Sequence, residues 1–200
     1  MVPAAHAAGS KYRAQLYPQL DTPRLSLDAF TDIDAPRVQV LAGVFEVADT
    51  TASIPHPYPD GAAAAWIAQQ QPFWAAGLAL TLAIRRRDNG LLIGAIGLQA
   101  LDTAPEFGFW LGQAYWGHGY ASEAALAVRD FAFGTLAVRC LAGRHLARNP
   151  ASGRVQQKIG MRRVGCTQAA VRDGRIETVV EYALRADEWQ AAAVAGQTGP

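Results

Sequence analysis

The sequence predicts a mixed α+β fold: a central, twisted, mostly antiparallel sheet with one parallel pair, flanked by helices. Three observations carry this. Residues 78–87 and 91–101 read as strands flanking Asn89-Gly90, a dipeptide suited to a two-residue type I′ turn. Glu106–Leu111 follows after a short loop as the third strand of a meander. An alanine-rich helical segment then separates that strand from the next, and a helical crossover favours a parallel neighbour.

Each element has a local reason. Residues 24–30 alternate apolar and polar side chains, as a half-buried strand does, and Thr31-Asp-Ile-Asp34 opens a helix with capping residues. Three prolines exclude a helix over residues 54–59; Asp60 is then expected to cap an Ala-rich helix to about Gln71. Residues 120–136 form a helix with Ala121, Ala125, Val128 and Ala132 on one stripe. Residues 139–146 read as a strand. Asn149-Pro150 supplies an N-cap and a first-turn proline to a helix ending at Gly160. Residues 164–171 and 176–184, joined by Asp173-Gly174, complete a final hairpin. Residues 21–190 are expected to form a single domain between an N-terminal tail, 1–20, and a C-terminal tail, 191–200.

Composition narrows the function. A formal net charge of +1 leaves no basic surplus for a polyphosphate backbone, so nucleic acid is not expected as a partner. No basic segment followed by a long apolar run opens the chain, and no membrane partner is expected. Cys140 and Cys166 lack metal-ligand or Cys-x-x-Cys spacing and read as buried, reduced thiols of a cytoplasmic protein. Four scattered histidines predict no metal site. Oligomeric state is left open, a homodimer included.

The chemistry concentrates where the third meander strand passes through Gly117-His118-Gly119 into a helix. Amides from about Trp116 to Ala121 could hold a pyrophosphate there, or the glycines could serve only a tight turn. A dinucleotide fingerprint would need Gly or Ala where Ser122 stands, and a Walker loop would need Gly-Lys-Ser/Thr. Neither is present.

Other segments add to this one. Thr22-Pro-Arg-Leu-Ser-Leu27, Glu106-Phe-Gly-Phe-Trp-Leu-Gly112, Tyr115-Trp-Gly-His-Gly-Tyr-Ala-Ser-Glu-Ala124, Asn149-Pro-Ala-Ser152 and Lys158-Ile-Gly-Met161 occur in that order. With them the chain, over about residues 22–188, resembles the GCN5-related N-acetyltransferases (GNAT), more narrowly their ribosomal-protein-alanine N-acetyltransferase-like (RimJ/RimL-type) branch. The resemblance implies the GNAT fold, its parallel pair splayed at the cofactor site, and transfer of acetyl from acetyl-CoA to a primary amine. The first expectation for that amine is a protein or peptide N-terminus. A small-molecule amine (polyamine, amino acid or antibiotic) is the alternative, and a non-catalytic acetyl-CoA-binding module is another.

By the same resemblance, Trp110 and Leu111 face the pantetheine arm, and Trp116, Gly117, His118, Gly119, Tyr120 and Ala121 cradle phosphate. Asn149 and Ser152 contact the cofactor near its sulfur, although Asn149 also reads as a plain helix cap. Ala114 stands where the family pattern has Gln or Arg, so backbone amides rather than Gln113 are expected to carry the phosphate. Glu106 is the implied base and Ser152 the implied hydrogen-bond donor to the leaving thiolate, with an amide such as that of Trp110 polarising the carbonyl. His56 and Tyr58 sit in the Pro-rich loop expected to border the acceptor. Trp66 and Trp74 read as core, and Arg85-Arg-Arg87 as a solvated strand end.

Overall fold

The computed structural model describes residues 16–171 and 174–197. Its sheet has eight strands: β1 (Leu20–Asp21), β2 (Leu25–Asp28), β3 (Leu80–Arg86), β4 (Leu92–Gln99), β5 (Glu106–Leu111), β6 (Cys140–Leu146), β7 (Arg162–Ala170) and β8 (Ile176–Arg185), in spatial order β1-β2-β3-β4-β5-β6-β8-β7. Every pairing is antiparallel except β5 with β6. The helices are α1 (Ala35–Ala42), α2 (Phe45–Asp49), α3 (Ala62–Ala68), α4 (Gln70–Ala75), α5 (Tyr120–Gly134), α6 (Pro150–Lys158) and α7 (Ala186–Gln197).

The sheet separates two cores. On one face Ala124, Ala125, Val128 and Ala132 of α5 pack against Leu80, Leu82, Leu98, Phe107 and Leu111. Ala125, Val128 and Ala132 keep the predicted stripe buried, with Ala121 at its partly exposed end. On the other face Val38, Ala42, Ala63 and Ile67 of α1 and α3 cover Ala83 and Ala95, with Trp66 and Trp110 at the margin. Alternation along β5 therefore sends Phe107, Phe109 and Leu111 toward α5, and Glu106, Gly108 and Trp110 toward α1 and α3.

Local chemistry accounts for most element ends. Thr31 and Asp34 form the expected capping box, and Asn149 caps α6 by accepting from Ser152 N. Gly160, at φ +89, ends the turn after α6 in the left-handed region. Other expectations need correction. Asp60 is not the cap of α3: Gly61 occupies that place at φ +77, and the helical run breaks between α3 and α4. The β3–β4 connection is not a two-residue turn. Arg86 N donates to Leu91 O and Gly90 N to Arg86 O, and only Gly90 of the central pair has positive φ.

Cys140 and Cys166 lie in strands as expected but are exposed, because Cys140 begins β6 and Cys166 lies on the sheet-edge strand β7. Arg85 is not solvated; it is tied to Asp28 and Asp34 at 2.8 and 2.7 Å. Residues placed in the tails have ordered roles: Tyr17 donates to Thr81 O at 2.5 Å, and residues 191–197 continue α7. Of the Asp173-Gly174 turn, Asp173 lies outside the described residues.

Candidate functional site

β5 and β6 pair in register only at Glu106↔Ala142 and Phe107↔Gly143. Beyond Phe107 the two strands diverge, and a cleft of about 1110 Å³ opens through the splayed pair between the two faces of the sheet. Gly112 N donates to Ile93 O on the β4 side, whereas Ala142 N donates to Pro105 O on the β6 side. By alternation the N–H groups of Phe107, Phe109 and Leu111 face β6, and those of Gly108 and Trp110 face β4. The amides turned into the gap are therefore those of Phe109 and Leu111, and the Trp110 amide is committed to the ladder with Ala95. Trp110 still lines the cleft through its side chain.

The glycine turn forms the mouth of the cleft. Gly117 and Gly119 have φ of +77 and +81, which only glycine adopts without strain, and α5 starts immediately after them. The first α-helical bond is Glu123 N to Gly119 O, so the amides of residues 117–122 have no hydrogen-bond partner among the described residues. Six unpaired N–H groups at the positive end of a fifteen-residue helix suit an anion.

Trp116 does not contribute its amide. Its N–H donates to Gln113 O, and its indole Nε1 donates to Leu111 O at 2.8 Å, sealing the end of β5. His118 Nδ1 lies 2.7 Å from Trp116 O, and its ring stacks on Tyr120. Gln113 is exposed.

At the start of α6 the Asn149 side chain bridges two segments, accepting from Ser152 N at 3.3 Å and donating to Thr50 O at 3.0 Å. Both Asn149 and Ser152 line the cleft, so the cap and the site coincide. Glu106 lines it from β5 and is held by Arg144 of β6 at 2.7 Å. Tyr58 and Trp66 border the same space from the α1 and α3 side, whereas His56 packs against Phe45. Burial raises the Tyr58 phenol above its ordinary value, so it remains a protonated donor.

Several residues here escaped the sequence reading. Gln156 is 1% exposed on α6, donates through Nε2 to Arg144 O at 3.2 Å, and leaves Oε1 without a partner among the described residues. Thr81 Oγ1 is the other buried polar atom in that condition, and it too lines the cleft. Arg24 lies beside the glycine turn, with Nη1 donating to His118 O at 3.1 Å and its guanidinium 4.7 Å from the Tyr120 ring centre. Thr22-Pro-Arg24 could have signalled this position, but no spacing rule marks Thr81 or Gln156.

The arrangement is an anion cradle leading into a gap edged by the strand amides of Phe109 and Leu111, with a carboxylate on the far face. Residues 24–162 match the family model described as an acetyltransferase (GNAT) domain. A stretch of 89 residues is 36% identical to the uncharacterized protein YkkB of Bacillus subtilis (strain 168), covering 42% of this chain and 51% of that protein. The match thus spans about half the length of that curated relative.

Two solved structures share the fold across almost their whole length. One is RimL, a ribosomal L7/L12 alpha-N-protein acetyltransferase in complex with coenzyme A: TM-score 0.76, 18% identity, covering 86% of this chain and 99% of that one. The other is the microcin C7 self-immunity acetyltransferase MccE in complex with acetyl-CoA and AMP: TM-score 0.74, 16% identity, covering 82% and 93%.

Proposed function

The chain belongs to the GNAT acetyltransferase family, and on that premise we propose that it is an acetyl-CoA-dependent N-acetyltransferase whose acceptor is the α-amine of a protein or peptide N-terminus. The observation that carries this reading is the splayed pair, which joins the cradle at residues 117–122 to Glu106 on the opposite face.

The residues fit acetyl-CoA as the acetyl-donating substrate. In this reading the cradle amides, those of Gly117, His118, Gly119, Tyr120 and Ala121 among them, take its pyrophosphate. The open edge of β5 at Phe109 and Leu111 takes the pantetheine arm, and Asn149 and Ser152 stand at the α6 side of the cleft.

Acetyl transfer needs a neutral amine, a polarised carbonyl and a proton for the thiolate. An α-amine with pKa of about 7.7 to 8.0 is neutral in roughly one molecule in ten at pH 7, against fewer than about one in a thousand for a lysine amine. Modest help therefore suffices. Glu106 accepts the proton of the incoming ammonium, directly or through one water, while Arg144, more than half exposed, gives way to solvent. The amine lone pair then forms the new C–N bond. The Phe109 N–H stabilises the developing oxyanion; as the C–S bond breaks, the nitrogen sheds its second proton, which passes through water to the departing thiolate while the Ser152 hydroxyl donates a hydrogen bond to that sulfur.

A thiol-release assay over N-terminal peptides, lysine-containing peptides with blocked N-termini, and small amines tests this. Turnover with free N-termini is expected. Turnover confined to small amines would overturn the acceptor assignment, and coenzyme A binding with no turnover on any acceptor would make the protein a binding module.

A further inference from the structure

β5 turns Glu106, Gly108 and Trp110 to the face covered by α1 and α3, at alternate positions about 7 Å apart. The middle one has no side chain, and a Cβ built on Gly108 would meet nothing within 4 Å. A recess therefore opens between the Glu106 carboxylate and the Trp110 indole. Its wall beyond Trp110 is apolar: Ile54, Tyr58 and Trp66 are partly buried against the same cluster as Trp110, and all four line the cleft. Trp66 is held edge-on to Phe30, with ring centres 5.0 Å apart, which fixes the back of the wall.

Charge is distributed unevenly around the cleft. Among the described residues that line it, Glu106 is the only carboxylate, and Arg144 pairs with it at 2.7 Å. The other basic groups stand on the far side: Arg154 and Lys158 belong to α6, and His145 abuts Gly153 of that helix. No described lining residue of α1, of the segment 50–58 or of α3 carries a charge.

We propose that the recess selects an acceptor whose first residue is apolar: the α-amine lies over Gly108 beside Glu106, and the side chain lies against Trp110 and Trp66. This rests on the acetyltransferase reading and names the class of N-terminus it takes. An N-terminal residue carries its amine, side chain and carbonyl on one carbon, and the cleft offers a different surface to each. The carboxylate takes the amine, and the aromatic wall takes the side chain. The carbonyl leads the rest of the peptide out past Ala52 and Ser53, which are exposed at the cleft. A charged side chain turned to that wall would leave water without gaining a partner. A polyamine would bring a second ammonium to a wall that holds no second carboxylate among the described residues.

The test uses peptides X-Ser-Gly-Ser-Gly-amide with leucine, alanine, aspartate or arginine as X; arginine brings a positive charge without a second acceptor amine. Turnover with acetyl-CoA is read as kcat/KM, beside calorimetric binding to the coenzyme A-loaded protein. The leucine peptide is expected to exceed the alanine peptide by about tenfold and the two charged ones by about a hundredfold. Gly108→Val should reverse the order of leucine and alanine, because the valine methyls fill the recess, while coenzyme A affinity stays within about twofold. The open space at that Cβ lets the variant fold. Equal values for leucine and alanine, a charged first residue that does as well, or no binding of any peptide would overturn the recess. So would an unchanged order, a weakened coenzyme A affinity or a large drop in melting temperature in Gly108→Val. The same preference in binding without turnover would uphold the recess and overturn the acetyltransferase reading instead.

Discussion

Arg24 Nε lies 2.6 Å from Glu123 Oε2, and the other oxygen of that carboxylate accepts from Thr22 Oγ1 at 2.6 Å and Arg24 N at 2.8 Å. One side chain in the first turn of α5 thus ties down the turn between β1 and β2, and Arg24 reaches on to His118 O. Burial alone would raise the Glu123 carboxyl; the Thr22 hydroxyl and the Arg24 amide and guanidinium hold it below the usual carboxylate range. Glu123→Gln keeps the shape and removes the charge. Coenzyme A affinity should fall about tenfold through loss of charge-assisted bonds that set the cradle, while the acceptor KM is unchanged. Calorimetry with coenzyme A and acceptor titrations measure the two, and an unaltered affinity would show that the network does not shape the cradle.

Gly61 and Gly119 form a matched pair. Both stand at a helix N-cap in the left-handed region, at φ +77 and +81, but only Gly119 lines the cleft. Valine at either position should cost about 1–3 kcal/mol of stability from backbone strain. Only Gly119→Val should also weaken coenzyme A binding, so equal loss of affinity in both variants would point to general destabilisation.

Glu106→Gln should lower kcat by about a hundredfold, the usual scale of a general base. Acetyl-CoA affinity should stay within about twofold, because the cradle lies at the other end of the cleft. A rate undiminished across the pH range would remove Glu106 from the chemistry.

Acid should loosen the region around Thr31. Asp34 is 5% exposed; burial pushes its carboxyl up, but two bonds from Arg85 and further ones from Thr31 more than reverse this and leave it lowered. A lowered folded pKa means stability that is present above the unfolded value, about 3.9, and lost as pH falls through the folded one. Asp28 is raised, chiefly by burial despite its Arg85 bond, and so contributes with the opposite sign. Asp34→Asn should cost about 2 kcal/mol at pH 7, because it removes the charge-assisted bonds from both Nη atoms of Arg85 and leaves only its Asp28 partner, and the penalty should shrink below about pH 4. Urea melts at pH 7 and pH 3 measure the difference, and an equal penalty at both would refute the ion-pair account.

What the sequence disclosed was local. Gly117 and Gly119 need positive φ, Asn149 needs the Ser152 amide, and β5 runs over Glu106–Leu111, the residues expected of the third meander strand; each cause lies within a few positions. Glu106, Asn149 and Ser152 were legible through their place in a motif, and all three line the cleft. Phe109 was not, because which strand amides face a gap depends on where β4 and β6 pair. Thr81 and Gln156 were hidden for a related reason: an unpartnered polar atom is defined by what surrounds it across the sheet, and no short spacing encodes that. The misplaced cap at Asp60 was a contest between two adjacent residues, which Gly61 won by its tolerance of positive φ.

The parallel seam between β5 and β6 is two residue pairs long. Mechanically, β1–β5 and β6–β8 are two sheets joined at a short weld, with α5 and α6 as struts across it. A ligand arm lying along Phe109 and Leu111 supplies the rungs the weld lacks, and so acts as a length of strand brought in from solution. Donor binding and sheet completion are then one event: amide hydrogen exchange at Phe109 should slow on coenzyme A binding, and thermal unfolding of the two halves should become more strongly coupled.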